Sequence, residues 1–304
     1  MIERSAKNLT RHALRTAFKF YPFYSGIGTV ANLKLPTWAS QDLDDRAVTR
    51  LRSGAELVVN PHEFLGRSVY YSGEWDTKIT WVIERILRKG DMFIDIGAHC
   101  GVTAIAAAAK IGPSGAVHAF EPQPDLAKML AESADRNGFH HVHVHNVALS
   151  DKAGTFDLYL PTGKQIYGTL EPGNGADGVP HVSVRVEQAS EFLSGLKLGC
   201  VRLIKIDIEG HEEAVFRGAA AFLDQTPTDA ILFESVAAEG PFWQRKAVLR
   251  LSAMGYRFIG IPKRLFVMTT EIVRDGVDPN PDSHDFIAAR SDNFEEIAQR
   301  LNAH

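Results

Sequence analysis

Three side chains that could activate a substrate hydroxyl stand close together between Lys205 and Glu212. Asp207, Glu209 and His211 follow an apolar run, and Gly210 permits a sharp change of chain direction. Asp207 and Glu209 are two positions apart, so in an extended chain their carboxylates point to the same side. An alcohol is a poor nucleophile until its proton is removed, and Asp207 or His211 could act as the general base.

A metal-assisted reaction is the alternative interpretation of the same segment. Glu234 ends the next apolar run, and together with Asp207 it could bind a divalent cation such as Mg²⁺ that lowers the pKa of a hydroxyl group. His211 also has a purely structural interpretation, as a residue that hydrogen bonds at a helix N-terminus. The residue pattern leaves these alternatives open.

A second chemical feature is the turn from Asp95 to Gly101, which joins an apolar strand to an alanine-rich helix. Gly97 and Gly101 allow backbone conformations and close ligand approach that a side chain would prevent, and the helix start directs unpaired N–H groups toward the turn. The spacing differs from the Gly-x-Gly-x-x-Gly pattern of dinucleotide sites. Asp95 would repel a diphosphate but could hold the amino group of a cationic cofactor, which disfavours a nicotinamide oxidoreductase.

An acidic residue follows the neighbouring strand. Glu121 comes about twenty positions after the glycine turn, at a strand end where a carboxylate can accept hydrogen bonds from both hydroxyls of a ribose. Together, the turn and Glu121 predict a nucleoside cofactor at the carboxyl edge of a parallel sheet.

Four ordered motifs resemble the FkbM-type methyltransferases. They are Asp95–Gly101 (DIGAHCG), Phe120–Pro122 (FEP), Asn146–Ser150 (NVALS) and Lys205–Glu212 (KIDIEGHE), and the likeness covers about residues 74–233. The resemblance implies a class I methyltransferase fold that uses S-adenosylmethionine, most commonly for O-methylation of sugars, macrolides and related natural products.

The resemblance also implies a role for each motif. The first motif would surround the methionine end of the cofactor, the second its ribose and the third its adenine, while the fourth would face the transferring methyl group. The implied cofactor residues are Asp95, Gly97, Ala98, His99, Gly101, Glu121, Pro122, Asn146, Val147 and Ala148. His99 stands where many relatives carry asparagine. N-methylation and a catalytically silent cofactor-binding scaffold are the competing functions.

Alternating apolar runs and helical stretches predict the elements that position these motifs. From Trp81 onward they indicate repeated β-α-β units around a buried parallel sheet. With the resemblance, this predicts a Rossmann-like α/β fold with a mostly parallel seven-stranded sheet and helices on both faces. One strand is predicted over 142–149 and another over 266–268. The long glycine-rich segment 161–180 is either a disordered excursion or a substrate lid.

Three parts of the chain are predicted: an N-terminal helical or irregular arm or cap (1–69), the methyltransferase domain (70–292) and a C-terminal tail helix (293–304). On a helix, Lys7, Arg11, Arg15 and Lys19 would form one basic face, which we expect to be solvated. Contact with a membrane surface or a partner helix is the alternative, and the arm could also form a homo-oligomer.

Charge and composition restrict the classes of binding partner that we expect for this chain. A formal net charge of −4 gives no global attraction for nucleic acid. The resemblance implies a small-molecule, glycan or natural-product acceptor. No apolar run is long enough for a transmembrane segment. Two cysteines exclude a disulfide framework and fit a reducing, cytoplasmic location.

Three histidines form another conceivable metal site. His141, His143 and His145 alternate with valines and would share one strand face. No carboxylate or cysteine is spaced beside them to complete a metal shell, so a polar face on an outer strand is the preferred interpretation.

Overall fold

A computed structural model describes residues 2–21, 26–160, 170, 179–208, 210–236 and 239–304. Its helices are α1 (Ile2–Lys19), α2 (Ile27–Ala31), α3 (Lys34–Ser40), α4 (Phe64–Ser72), α5 (Thr77–Ile86), α6 (Val102–Ile111), α7 (Pro124–Arg136), α8 (Ala189–Gly195), α9 (Glu212–Gln225), α10 (Lys246–Ala253) and α11 (Phe294–Leu301). Its strands are β1 (Ala47–Arg50), β2 (Glu56–Val59), β3 (Met92–Ile96), β4 (Ala116–Phe120), β5 (Val142–His145), β6 (Ala148–Ser150), β7 (Gly154–Tyr159), β8 (His181–Gln188), β9 (Val201–Ile206), β10 (Thr228–Glu234), β11 (Tyr256–Pro262), β12 (Glu271–Ile272) and β13 (Ser283–Arg290).

The central sheet has the strand order β12-β11-β13-β10-β9-β3-β4-β5. The five strands from β10 to β5 run parallel, whereas β13 is antiparallel to both β10 and β11. This confirms the predicted Rossmann-like class I methyltransferase fold, in which the final strand is antiparallel. Beyond the seven predicted strands, the two-residue β12 pairs with the outer side of β11.

Alternate residues of the central strands fill two separate cores. Ile94, Ile204 and Phe233 pack on one face with α8, α9 and α10, and Phe93 and Leu203 pack on the other with α5, α6 and α11. Side chains of a strand alternate between faces, so helices on both faces require strands that are apolar at nearly every position. The fully buried β9, Val201–Ile206, meets that requirement.

The predicted strand over 142–149 is wrong as a single element. The chain leaves the central sheet after β5, and β6 pairs instead with β8 in a separate three-stranded sheet of order β6-β8-β7. Asn146 and Val147 lie at this break, and the exposed Asn146 contrasts with the buried Val147. The strand expected over 266–268 is also wrong, since that segment has no regular structure and β12 begins at Glu271.

The predicted N-terminal arm packs closely on the sheet domain. Phe18 and Leu57 share a core with Ile105 of α6 and Met129 of α7, and Ser133 of α7 accepts a 2.9 Å hydrogen bond from the backbone N–H of Val58. The C-terminal helix α11 likewise packs its buried face against the second core. Both terminal segments therefore pack against the sheet domain.

The described residues of the basic face of α1 (Lys7, Arg11 and Arg15) are directed toward protein rather than solvent, contrary to the expectation from the sequence. Lys7 and Arg11 are each only 8% exposed. Arg11 forms an ion pair with Asp42, and the guanidinium of Arg15 lies 5.0 Å from the ring centre of Tyr70. These basic side chains attach α1 to neighbouring elements. Among the described residues, no helix combines the length and apolarity needed to cross a membrane.

The predicted three-histidine face is only partly formed. His143 and His145 of the edge strand β5 stack on His118 of β4, but His141 lies before the strand and its Nε2 is 3.1 Å from the carbonyl oxygen of Ala108. His118 Nδ1 and His145 Nε2 are 3.1 Å apart. Burial, followed by the neighbouring imidazoles, lowers the pKa of His118 and of His145 to about 4.

This histidine pair makes stability depend on pH. The unfolded imidazoles titrate near ~6.5, so between pH ~6.5 and about 4 the unfolded chain binds more protons and the free energy of unfolding falls as pH is lowered. We expect His145→Phe, which keeps an aromatic ring between Phe120 and Phe192, to reduce this slope in denaturant titrations at pH ~6.5 and ~5. The exposed control His140→Phe should keep the wild-type slope; equal slopes in both variants would contradict the assignment.

Candidate active site

One cavity of about 430 Å³ opens at the carboxyl ends of β3, β4, β9 and β10. Ligands of doubly wound sheets bind at this edge. The cavity wall contains most of the cofactor residues implied by the resemblance and two of the predicted catalytic residues. These lining residues are Gly97, Ala98, His99, Glu121, Pro122, Val147, Ala148, Asp207 and His211.

The turn after β3 is glycine-dependent because another backbone segment crosses it. Gly97 has φ +81°, and a Cβ at this position would lie 2.1 Å from the carbonyl oxygen of Asp207. At Gly101, with φ +98°, a Cβ would lie 2.7 Å from the Leu130 side chain. Gly97 lines the cavity, whereas Gly101 begins α6 and lies outside the wall. Gly97 therefore permits contact between the first and the fourth motif. Gly101 permits contact between α6 and α7.

Asp95 lies beneath the turn rather than at the cavity surface. Its side chain is fully buried, Oδ2 accepts a hydrogen bond from the Thr103 hydroxyl, and Oδ1 is 3.2 Å from Lys205 Nζ. Lys205 also donates to the Gly97 carbonyl at 3.0 Å and lies 3.4 Å from Asp207 Oδ2. Burial opposes the charge of this ammonium group, but Asp95 and Asp207 raise the pKa of Lys205 to about 12.

Glu121 is held in the cavity wall by backbone donors. The backbone N–H of His99 donates to Oε2 at 2.9 Å, and that of Gln123 donates to Oε1 at 2.8 Å. Burial raises the pKa of Glu121 to about 7, although these two donors act in the opposite direction. Each carboxylate oxygen keeps a second acceptor site, so the group can still receive two hydroxyl donors from the cavity.

His99 supplies an unpaired polar atom beside Glu121. Its backbone is left-handed, with φ +51°, and its buried Nδ1 has no hydrogen-bond partner among the described residues. Burial, then the Lys205 charge, lowers the pKa of His99 to about 4, so the ring is neutral. A buried polar atom without a partner is costly, and a ligand in the cavity would relieve that cost.

The residues of the third motif have two different roles. Asn146 lies outside the cavity wall, and its Nδ2 donates 2.9 Å hydrogen bonds to the carbonyl oxygens of both Glu121 and Pro122. Val147 and Ala148 line the cavity directly and provide an apolar surface. Asn146 therefore positions the loop that carries Glu121.

The fourth motif forms the opposite part of the wall. Asp207 is 46% exposed, and His211 Nε2 lies 2.9 Å from the hydroxyl of Ser150. Glu209 lies outside the described residues. Glu212, the last residue of the fourth motif, had no predicted role. It accepts 3.2 Å hydrogen bonds from the backbone N–H groups of Ile208 and Gly210, and it thereby shapes the loop between β9 and α9.

Two charged residues of this wall were missed because they lie far apart in sequence. Lys78 near the start of α5 forms an ion pair with Asp285 of β13, and both line the cavity with Glu234. Glu234 and Asp285 are direct partners in the β10–β13 register. Burial first, and then Asp285 and Asp207, raise the pKa of Glu234 to about 7. Lys78 and Asp285 are 207 positions apart, so no local sequence pattern predicts that they form a pair.

The metal interpretation lacks a complete ligand group. Within the described parts of the chain, no cluster of three or more histidine, cysteine, aspartate or glutamate side chains could hold a metal ion. Asp207, one of the two predicted ligands, is instead paired with the ammonium group of Lys205.

The crossing at Gly97 is testable by adding one methyl group. Gly97→Ala combines left-handed strain with a clash against the Asp207 carbonyl, whereas Gly138→Ala, at φ +66° in open space, has the strain alone. We expect Gly97→Ala to lower the free energy of unfolding by ~1–3 kcal/mol more than Gly138→Ala, measured by denaturant titration. An equal loss of unfolding free energy in both variants would show that the close contact between Gly97 and the Asp207 carbonyl does not affect stability.

Solved structures similar to the chain include several methyltransferases at low identity. An S-adenosylmethionine-dependent O-methyltransferase from Thermotoga maritima has 12% identity and a TM-score of 0.44, with 81% of this chain and 78% of that chain covered. The O-methyltransferase TomG from Streptomyces achromogenes, solved with S-adenosylmethionine, has 13% identity and a TM-score of 0.41, with 70% and 79% covered. A putative rRNA methylase from Clostridium thermocellum has 12% identity and a TM-score of 0.41, with 70% and 93% covered.

These likenesses do not identify the acceptor, since the proteins concerned are named for different acceptors. No curated protein matches the chain in sequence. The methyltransferase FkbM domain matches residues 95–258, which is more than half of the 304 residues and includes all four motifs. The chain therefore belongs to the FkbM methyltransferase family and is an S-adenosylmethionine-dependent methyltransferase.

Proposed function

We propose that this methyltransferase transfers the methyl group of S-adenosylmethionine to a hydroxyl group of a small-molecule or sugar acceptor. The observation that carries the proposal is a cavity whose wall joins the Gly97–Glu121 side to carboxylates just after β9 and on β10 and β13. Methyl transfer needs a donor and an acceptor aligned in one enclosed space, and this cavity provides a wall for each.

The cofactor side fits a sulfonium nucleoside. The carboxylate of Glu121 suits the two ribose hydroxyls, the unpaired Nδ1 of His99 offers a further polar contact, and Val147 and Ala148 provide an apolar surface for a base. When bound, the cofactor supplies an electrophilic methyl group. We assign Asp95 an indirect role, because its carboxylate holds Lys205, which in turn holds the carbonyl of Gly97.

The acceptor side favours neutral or cationic acceptors over polyanions. Its carboxylates are those of Asp76, Asp207, Glu234 and Asp285. Lys78, Lys205 and Lys263 offset only part of their charge, because Lys205 also pairs with the buried Asp95. A nucleic acid would bring phosphates toward these carboxylates, which is unfavourable in a partly buried site. This supports a small hydroxylated acceptor, although an amine would also fit the negative charge and would make the enzyme an N-methyltransferase.

Metal assistance is not part of the proposed reaction. A pair of carboxylates with one member bound to an ammonium group is a poor cation site, and Asp207 is 3.4 Å from Lys205. We propose that Asp207 and His211 contact and orient the acceptor, because both line the wall where β9 ends.

Cofactor binding tests the role of Glu121. Glu121→Gln would direct one amide N–H toward the donors of His99 and Gln123, so the wall residue loses both its charge and an acceptor. We expect calorimetry to show S-adenosylmethionine binding weakened about 10- to 100-fold, the range for a charged hydrogen bond. Glu295→Gln, a surface change at a side chain that is 80% exposed, is the matched control and should bind normally. Undiminished affinity in Glu121→Gln would overturn the cofactor assignment.

Methyl transfer to defined acceptors tests the reaction. With radiolabelled cofactor, we expect transfer to neutral hydroxylated sugars or natural-product extracts, base-stable label in the product, and unchanged turnover after EDTA treatment. Duplex RNA serves as the polyanionic comparison. Loss of activity in EDTA that returns with Mg²⁺ would contradict the metal-free proposal. Label restricted to amines would favour N-methylation, and cofactor binding without transfer to any acceptor would favour the silent scaffold.

A further inference from the structure

Glu234 is a cavity carboxylate to which the described residues offer no hydrogen-bonding partner. It ends β10, lines the same cavity as Glu121, and is half-buried. Its side chain makes no hydrogen bond or ion pair with the part of the chain that the structure describes. Among the described residues nothing occupies this carboxylate, so it can interact with a group that enters the cavity.

The other candidate bases in this wall are already engaged. Asp207 lies 3.4 Å from the ammonium group of Lys205, so its carboxylate is already paired with a cation. His211 Nε2 lies 2.9 Å from the hydroxyl of Ser150. Asp285 is paired with Lys78. Glu234 therefore differs from these neighbours, because no cation or hydroxyl of the described segments lies within hydrogen-bonding distance of it.

The surroundings of Glu234 come from four other elements. Asp285 faces it from β13, Asp207 from the end of β9, Glu212 from α9, and Lys78 from α5. The adjoining wall also contains Asp76, His211, Lys263 and His284. Burial and the three neighbouring carboxylates raise the pKa of Glu234 to about 7, and Lys78 opposes them. A general base is most effective when its pKa lies near the working pH.

We propose that Glu234 is the catalytic residue that accepts the proton of the acceptor hydroxyl, an inference that rests on the proposed function. An oxygen lone pair of the acceptor forms the new bond to the methyl carbon, and the electron pair of the breaking carbon–sulfur bond remains on sulfur. The hydroxyl proton moves to a carboxylate oxygen of Glu234 and later passes to water. The products are a methyl ether and a neutral thioether.

Glu234→Gln keeps the shape of the side chain and removes the proton acceptor. We expect kcat to fall about 10²- to 10⁴-fold, the usual contribution of general base catalysis, while calorimetry shows cofactor affinity within about threefold of wild type. Wild-type kcat/KM for the acceptor should rise with pH to a plateau above about 7, because Glu234 must be ionised, and this rise should be absent in Glu234→Gln. Glu234→Asp should retain the rise with part of the rate.

The outcomes separate the two proposals. If the wild-type protein binds no cofactor or methylates no acceptor, the proposed function fails and the role of Glu234 falls with it. If the wild type is active and Glu234→Gln keeps kcat within about threefold and the same pH profile, only the role of Glu234 is overturned. The control Glu295→Gln carries the same chemical change on an exposed side chain and should match wild type throughout.

A second test measures the titration of the Glu234 carboxyl group directly and needs no turnover. In protein labelled with ¹³C at glutamate carboxyls, the signal that disappears in Glu234→Gln, or in Glu234→Asp if the first variant fails to fold, identifies the residue. We expect its midpoint near pH 7 in the cofactor-free protein. A midpoint at the ordinary value of a glutamate, ~4.3, would overturn the proposal, because such a carboxylate is no better a base than one on the surface.

Discussion

A single buried ammonium group, that of Lys205, connects the two sides of the active site. It donates to the carbonyl of Gly97 at 3.0 Å and lies 3.2 Å from Asp95 and 3.4 Å from Asp207. Asp95 and Lys205 are register partners on neighbouring strands, so the sheet itself places the charges together. Removing Lys205 would leave Asp95 as an uncompensated buried carboxylate, which costs several kcal/mol. The cofactor turn and the loop after β9 are therefore one electrostatic unit.

The sequence predicted the parts of the molecule that depend on local pattern. Continuous apolar runs and glycine turns predicted β3, β4, β9 and β10 because strands buried on both faces need apolar residues throughout. Where pairing depends on distant strands, the pattern was insufficient: the run over 142–149 does not reveal that β6 leaves the central sheet for β8. Helical spacing in α1 predicted a basic face but not its direction, since Arg11 meets Asp42 only after α3 packs against α1.

The two sides of the site also differ in whether they are built from local or from distant contacts. The cofactor side is built from short motifs in which neighbours in sequence touch, as the N–H group of Gln123 does at Glu121. The acceptor side brings together α5, β10 and β13, and the contact of Lys78 with Asp285 spans 207 positions. Both of these residues lie outside the range 95–258 that matches the family. The family therefore defines the chemistry, and flanking segments complete the surface that an acceptor meets.

The distribution of charge explains why Glu234 lacks a counterion among the described residues. Lys205 offsets charge at Asp95 and Asp207, and Lys78 offsets charge at Asp285, which leaves Glu234 opposite the space that a cationic methyl donor would share. Opposite charges attract, so a sulfonium in this space would modestly favour ionised Glu234 before transfer. When Glu234 takes the acceptor proton, it loses its negative charge in the same step in which the sulfur loses its positive charge. A fixed lysine paired with Glu234 would remain charged throughout and would oppose that neutralisation. A carboxylate without its own lysine therefore suits the proposed reaction, and Lys78 and Lys205 leave Glu234 in that state by pairing with the neighbouring aspartates.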